Sequence, residues 1–537
     1  MFTKKTRRWV LIGLAATFGL WMGAKTHADT SAAPAPSASS GQAPAAAVAA
    51  PAPAAPTADQ DGSATGGIGD VTAKVPGKPT LDEIAADLGH TKIALNFVWM
   101  LLCGFLVFFM QAGFALLETG FVRSKNAGHV MFMNLSIFFI GVLGYWALGY
   151  GIQMGNVAGL TQLGGVPIAT GEFSIKLFGQ DFGLFATQGF FLSGKFYDVS
   201  YWALFLFSVV FMDAACTIPT GAMAERWKTS NFIVFGFMMA AVVYPLYGNW
   251  VWGNGWLAKL GSNFHLGHGH VDFAGSTVVH MVGGVAALAG IIVLGPRIGK
   301  FDKNGTPTAI PGHHIPMAVL GTLVLGFGWF GFNAGSTLAG TDLRLAVVAV
   351  NTMIASCWGG AIAIAYMKIT TDKWDVAMAC NGYLAGLVAI TAPCAFVNIW
   401  GASIIGIVAG LLAPMAYNFI EQKFKLDDAV GAVAVHGCNG AWGGLALGLF
   451  ADGTYGDGWN GVPGKVTGIL YGDHSFGQLG AQIIGVATCF VFVFGFFYLF
   501  FKVTDLIWGI RVSREVELQG LDLPDTGAKA YNEFVTK

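Results

Sequence analysis

Two histidines lie within long apolar stretches of this chain, at His280 and His436. An imidazole can donate one hydrogen bond, accept another, and exchange a proton near neutral pH. An ionisable group deep in an apolar segment is costly, so it tends to be functional. Two neutral imidazoles could therefore line a narrow path and pass a proton between them. The alternative interpretation is that each histidine satisfies a separate packing hydrogen bond.

The surroundings of the two histidines repeat. Asp272 lies eight residues before His280, and Asp428 lies eight residues before His436. Glycines follow at matching offsets in both copies. A carboxylate at the start of a helix accepts hydrogen bonds from free backbone N–H groups and complements the helix dipole. Both aspartates are therefore predicted to cap the helices that carry the histidines.

A second pair of motifs supports an internal repeat. Gln111-Ala-Gly in the first apolar run recurs as Asn333-Ala-Gly in the sixth. Copies of five helices each must insert in opposite directions, because five is odd. Inverted repeats of this kind build transporters and channels with a central site at the repeat interface. We expect the two histidines to meet there.

The elements that carry these residues must be membrane helices. The chain has 537 residues, of which 54% are hydrophobic and 11% charged, and its mean hydropathy is +0.60. Soluble domains carry roughly 25% charged residues, so most of this surface is expected to face lipid. The net charge of −1 gives no reason to expect a nucleic-acid partner.

The expected fold is an all-α polytopic membrane protein with eleven transmembrane helices, formed by two inverted five-helix repeats and a final helix. Each apolar run is near the ~20 residues that a helix needs to cross the hydrocarbon. The predicted spans are 94–121, 127–151, 200–222, 232–253, 274–295, 313–334, 345–367, 375–395, 398–420, 429–450 and 478–501.

The chain is predicted to have four parts. Residues 1–28 have the basic start, short apolar run and small-residue end of a signal peptide, and 29–92 form an Ala/Pro-rich exported linker. Residues 93–502 are the membrane domain, and 503–537 are a cytoplasmic tail. Lysine and arginine are far more frequent in alternate loops and in the tail, which predicts an external N-terminus and an internal C-terminus in a bacterial cytoplasmic membrane.

Other motifs indicate little further chemistry. The seven cysteines form no C-x-x-C pair, so neither a metal nor a cofactor is expected. His265, His268 and His270 form a cluster that we interpret as a solvated loop rather than a metal site. Trp252, near the end of the fourth span, could belong to an interfacial aromatic belt or could hold a cation on its ring.

Several long motifs resemble the Amt/Mep/Rh ammonium transporter family, and its bacterial Amt branch in particular. They run from about residue 95 to the C-terminus. The four segments that carry the resemblance are Asp272-Phe-Ala-Gly-Ser-Thr-Val-Val-His280, Gly328-Trp-Phe-Gly-Phe332-Asn-Ala-Gly-Ser336, Val435-His436-Gly437, and the tail from Arg511 to Tyr531.

The resemblance implies a homotrimer with one pore in each subunit, conducting ammonium or ammonia across the bilayer. Phe211 and Phe332 would form a stacked gate, and Trp252, Phe211 and Ser336 an external ammonium site. His280 and His436 would be the twin pore histidines.

The same resemblance makes Asp272 the entrance acid and the tail a docking segment for a PII-type regulatory protein. Bacterial relatives often carry a second acid between the positions of Asp428 and His436, where this chain has Gly431. Any coupling of such an acid to the tail is therefore in doubt.

The sequence thus predicts an ammonium transporter that recruits ammonium, deprotonates it and passes ammonia through an apolar pore, with the histidines relaying the proton. An ammonium sensor and a Rh-like neutral gas channel remain as alternatives. A membrane enzyme is not expected, because the helices contain too few polar groups for metal or nucleophile chemistry.

Overall fold

The structure is a computed structural model that describes residues 68–157, 160–165, 171–194, 199–472 and 474–531. The predicted signal peptide 1–28 and most of the predicted linker lie outside the described residues. The helices are α1 (Leu81–Phe121), α2 (Ser124–Met154), α3 (Val199–Met223), α4 (Thr229–Val251), α5 (Ser276–Leu294), α6 (Ile315–Thr337), α7 (Arg344–Thr371), α8 (Val376–Ile390), α9 (Ile399–Phe424), α10 (Asn439–Phe450, preceded by a π-helical turn at Val433–Cys438), α11 (Gly477–Trp508) and α12 (Arg514–Gln519). A single further helical turn, Leu260–Phe264, lies between α4 and α5, and short 3-10 and π turns flank several of the helices.

The prediction of a helical, multi-pass membrane protein is confirmed. Within the described residues, nine helices are long and apolar enough to cross a membrane: α1 to α7, α9 and α11. Helix α8 matches a further predicted span but has only 15 residues, and the segment Val433–Phe450 is rich in glycine. The count of eleven spans therefore stays a prediction.

Helix α1 begins earlier than the apolar pattern indicates. Residues 81–92 were expected to belong to the linker, but they are helical. A capping box fixes the start: the Thr80 amide donates to Glu83 Oε2 over 2.8 Å, and the Glu83 amide donates to Thr80 Oγ1 over 3.3 Å. The first turns are polar, so a search for hydrophobic spans passes over them.

Two β-hairpins that the sequence did not predict lie at one end of the bundle. Strands β1 (Glu172–Leu177) and β2 (Gln180–Ala186) form one antiparallel pair, and β3 (Asp452–Trp459) and β4 (Val462–Thr467) form the other. We call this end the hairpin face. Helix α11 begins after the second hairpin and leads to the segment 509–531 at its opposite end, which we call the tail face.

The helices differ in how deeply they are buried. The most apolar stretches of α3 and α5 are each 83% buried, whereas that of α11 is 22% buried. Helices α3 and α5 therefore form the centre of the bundle. Close approach at the centre needs glycine: a Cβ at Gly284 would lie 2.1 Å from the backbone nitrogen of Gly437.

Buried ion pairs organise the tail face. Asp427 receives two hydrogen bonds from the Arg297 guanidinium, over 2.8 and 2.9 Å, and its backbone carbonyl accepts one from Arg226. Burial opposes ionisation of Asp427, but the Arg226 charge and the Arg297 hydrogen bonds outweigh it and hold the pKa of this carboxyl below its ordinary value.

The tail packs onto this ionic layer. Glu517 accepts hydrogen bonds from Arg511 Nε over 3.0 Å and from the Ile298 amide over 2.7 Å. Lys125 donates to the backbone carbonyls of Glu517 and Leu518. The described part of the tail is thus an ordered layer on the membrane domain.

Candidate functional site

Both histidines lie on π-helical turns. His280 belongs to the turn Ser276–Met281 at the start of α5, and His436 to the turn Val433–Cys438 before α10. A π-turn re-aims side chains relative to a regular helix and is frequent at functional sites. The repeat found in the sequence therefore extends to an irregularity of the backbone.

The two imidazoles meet in the interior of the protein. The Nδ1 atoms of His280 and His436 lie 3.2 Å apart, and the side chains are buried. One ring must donate the proton of this hydrogen bond and the other must accept it. The prediction that the repeat brings the histidines together is confirmed.

The predicted aspartate caps are also confirmed. Asp272 accepts hydrogen bonds from the backbone amides of Gly275, Ser276, Thr277 and Val278, over 2.8 to 3.0 Å, and one from the Thr277 hydroxyl. Asp428 accepts from three amides at the matching place in the other copy. The Asp272 backbone carbonyl also accepts from Trp252 Nε1 over 2.6 Å, so the cap orients that ring.

A row of aromatic rings leads from Trp252 to the histidines. The rings of Phe211 and Phe332 stack, with centroids 4.0 Å apart and an interplanar angle of 26°. Phe211 contacts Trp252 edge-on at 6.2 Å, and Phe332 stacks on His280 at 5.4 Å. Both phenylalanines are buried. The predicted pair thus closes the space between Trp252 and His280.

On the hairpin side of this pair is a cavity of about 210 Å³. Trp252, Phe211 and Ser336 all line it. The Ser336 hydroxyl donates to the Phe332 carbonyl over 2.8 Å. Its lone pairs are then left to accept hydrogen bonds, which suits an N–H donor in the cavity. An aromatic face and a hydroxyl acceptor together fit a small cation.

The cavity has another wall that the sequence did not predict. Trp459 and Asn460, at the tip of the β3–β4 hairpin, line it as well. Asn460 Nδ2 donates to the carbonyls of His268 and His270, which ties the hairpin tip to the segment before α5. No signal in the apolar pattern marks Trp459, because it lies in a loop between two spans.

The interpretation of the histidine cluster as a solvated loop is wrong for two of its members. His268 and His270 are buried, and only His265 is exposed. His270 Nε2 lies 3.0 Å from the Thr277 hydroxyl, which ties this segment to the capped start of α5. Among the described residues, no group of three or more His, Cys, Asp or Glu is placed to hold a metal ion.

A second, smaller cavity of about 20 Å³ lies beyond His436. His436, Phe114 and Glu118 line it, together with Gly431. Glu118 is almost fully buried within α1, and the sequence analysis did not single it out. A carboxyl within an apolar span was the signal that could have found it.

Known proteins share this architecture. The model of the Ammonium Transporter Family matches residues 98–531. Ammonium transporter Amt2 of Archaeoglobus fulgidus is 46% identical over 452 residues, which cover 83% of this chain and 90% of that protein. Ammonium transporter Amt1 of Haloferax mediterranei is 36% identical over 453 residues, covering 82% of this chain and 80% of that protein.

Two solved structures are similar over most of the chain. A Sensor Amt Protein has a TM-score of 0.70 at 34% identity, covering 81% of this chain and 99% of that one. Mep2 of Candida albicans has a TM-score of 0.65 at 27% identity, covering 79% of this chain and 87% of that one. With the matching family model and these relatives, the twin-histidine helical bundle belongs to the ammonium transporter family.

Proposed function

We propose that the protein carries ammonium across a bacterial cytoplasmic membrane and that ammonium enters the protein at the hairpin face. The observation that carries this proposal is the unbroken order of Trp252, the Phe211–Phe332 pair and the two histidines through the buried centre. The proposed topology puts the hairpin face outside and the tail face in the cytoplasm, as the positive-inside rule predicts.

Ammonium first binds in the hairpin-face cavity. Its charge rests against the Trp252 ring, and an N–H group donates to the Ser336 hydroxyl. Stacked phenyl rings offer no hydrogen bonds, so a charged ion would lose its hydration there without compensation. Ammonium therefore gives up its proton, and ammonia passes Phe211 and Phe332 in neutral form.

The proton follows the histidines. With Nδ1 of one ring bonded to Nδ1 of the other, a proton accepted at one imidazole can be released from its partner. Potassium has no proton to lose, so the same desolvation excludes it. Assembly as a homotrimer and binding of a PII-type regulator at the tail face complete the proposal.

An ammonium sensor is the second candidate, because a Sensor Amt Protein is among the similar structures. A Rh-like neutral gas channel is less well supported. A cavity with Trp252 and Ser336 recruits a cation, which such a channel does not need.

The test is an ammonium pulse on proteoliposomes adsorbed to a solid-supported membrane, with potassium as the control ion. We expect a transient current with ammonium alone, and its loss when His280 and His436 are both replaced by leucine. An unchanged current in that variant overturns the relay. Silence of the folded native chain with both ions favours the sensor or the gas channel.

A further inference from the structure

The cavity beyond His436 contains one carboxyl group. Of the described residues that line it, only His436 and Glu118 can titrate, and most of the others are apolar. Glu118 is 2% exposed. A carboxyl in a membrane-spanning helix is costly and is normally kept for a function.

Hydrogen bonds from two other helices hold this carboxyl in place. Asn134 Nδ2 on α2 donates to Glu118 Oε2 over 2.8 Å. The Thr220 hydroxyl on α3 lies 2.5 Å from the same oxygen. The position of the acid beside the cavity is therefore fixed by the packing of three helices.

The Thr220 hydroxyl can serve either protonation state of Glu118. It lies 2.5 Å from Glu118 Oε2 and 2.5 Å from the Thr217 carbonyl. A hydroxyl has one proton to donate and two lone pairs. When it donates to the carboxylate, Glu118 is ionised. When it turns to the Thr217 carbonyl, its oxygen can accept a hydrogen bond from a protonated Glu118.

The cavity can connect the acid to the histidine. Its volume of about 20 Å³ exceeds the ~10–15 Å³ that one water requires. Gly431 also lines the cavity and has no side chain that could take part in proton transfer. Helix α1 thus supplies the acid on this side of the histidines.

We propose that Glu118 is the proton-relay residue that follows His436 on the way to the tail face. This inference rests on the proposed histidine relay. The protonated His436 gives its proton to a water in the cavity, which passes a proton to the Glu118 carboxylate. The carboxylic acid then releases the proton toward the tail-face solution, where ammonia takes it up. No electron moves and no other reactant is needed.

The test compares the charge moved across the membrane with the amount of substrate taken up by the same proteoliposomes. Ammonium-pulse current is measured on a solid-supported membrane, and uptake of labelled methylammonium is measured in parallel. We expect Glu118→Gln to lower the current at least ~tenfold. This is a conservative figure, because a positioned proton-transfer group typically contributes about 100-fold or more to a rate. Labelled uptake should fall far less, so the ratio of current to uptake drops. Glu118→Asp should recover part of the current.

The matched control is Ser136→Ala, which removes another buried hydrogen bond on α2, from the Ser136 hydroxyl to the Met133 carbonyl, and leaves every hydrogen bond to Glu118 intact. It should lower the melting temperature but keep the native ratio of current to uptake. A native ratio in Glu118→Gln overturns the role of Glu118 and leaves the histidine relay intact. An equal drop in both variants makes Glu118 a structural residue. A native chain that takes up methylammonium without any current overturns the relay itself.

Discussion

The Nδ1 atoms of His280 and His436 lie 3.2 Å apart although 156 positions separate the two residues in the chain. Each histidine sits on a π-helical turn that an aspartate caps from eight residues before it. The two capped turns come from matching parts of an internal repeat. Their meeting point divides the buried centre into a hairpin-face half and a tail-face half.

Replacing Phe332 by alanine should open the space between Trp252 and His280. In the proposed pathway the phenyl pair, with centroids 4.0 Å apart, is the gate that blocks hydrated ions there. We expect a potassium current to appear alongside the ammonium current on a solid-supported membrane. Since removing a buried phenylalanine costs about 3–5 kcal/mol, the folded fraction must be checked. Phe108→Ala, at a 48% exposed position of α1, is the control. Continued exclusion of potassium by folded Phe332→Ala contradicts the gate.

Trp459→Ala should weaken recruitment of ammonium without changing the turnover. The ring lines the same cavity as Trp252 and Ser336. If it contributes a cation–π contact, its loss should raise the half-saturating ammonium concentration about 3–10-fold. The maximal current should stay the same, and Trp459→Phe should be milder. The control is Val462→Ala, because Val462 pairs with Trp459 across the hairpin. A change of equal size in that control would assign the effect to the hairpin rather than to the ring.

Asp272→Ala should destabilise the protein strongly. Four backbone amides and the Thr277 hydroxyl donate to this carboxylate. Hydrogen bonds to a charged group contribute about 1.5–3 kcal/mol each, and buried donors left without a partner add to the cost. We expect a lower melting temperature in detergent and a smaller loss for Asp428→Ala, which leaves three amides unpaired. Equal losses would mean that the extra bonds at Asp272 add nothing.

Asp427→Asn should destabilise the protein by about 3–5 kcal/mol, since it leaves the two buried arginines, Arg226 and Arg297, with only Glu225 to balance their charges. The folded state holds the pKa of Asp427 below its ordinary value. The pair therefore contributes fully above the ordinary aspartate pKa of about 3.9, and its contribution fades only as the pH falls below that value.

Melting curves between pH 7 and pH 3 test this sign. The melting temperature of the native chain should fall at pH values below about 4. Asp427→Asn should have a lower melting temperature than the native chain at neutral pH, and its melting temperature should fall less on acidification. Asp342→Asn, in the partly exposed pair with Arg344, should cost less than about 1 kcal/mol. A native melting temperature in Asp427→Asn would show that the buried pair adds no stability.

Local patterns in the sequence were enough to predict most of the membrane helices and the contact between His280 and His436. Long apolar runs force membrane helices, because lipid cannot satisfy exposed backbone groups. Equal offsets from aspartate to histidine in two helices indicate equivalent places in a repeat, which is why the meeting of His280 and His436 was predictable.

Tertiary packing decided what no local pattern carries. Trp459 reaches the hairpin-face cavity because Asn460 fastens the hairpin tip to the segment before α5 and the Trp459 ring packs against Phe273 and Phe396. Glu118 lines the cavity beyond His436 because of how α1 packs against its neighbours. A search for hydrophobic spans did not single out this acid, because the residues around it are strongly apolar. Which side chains share a cavity depends on how distant helices cross, and that is set by the packing of the whole bundle rather than by neighbours in the chain.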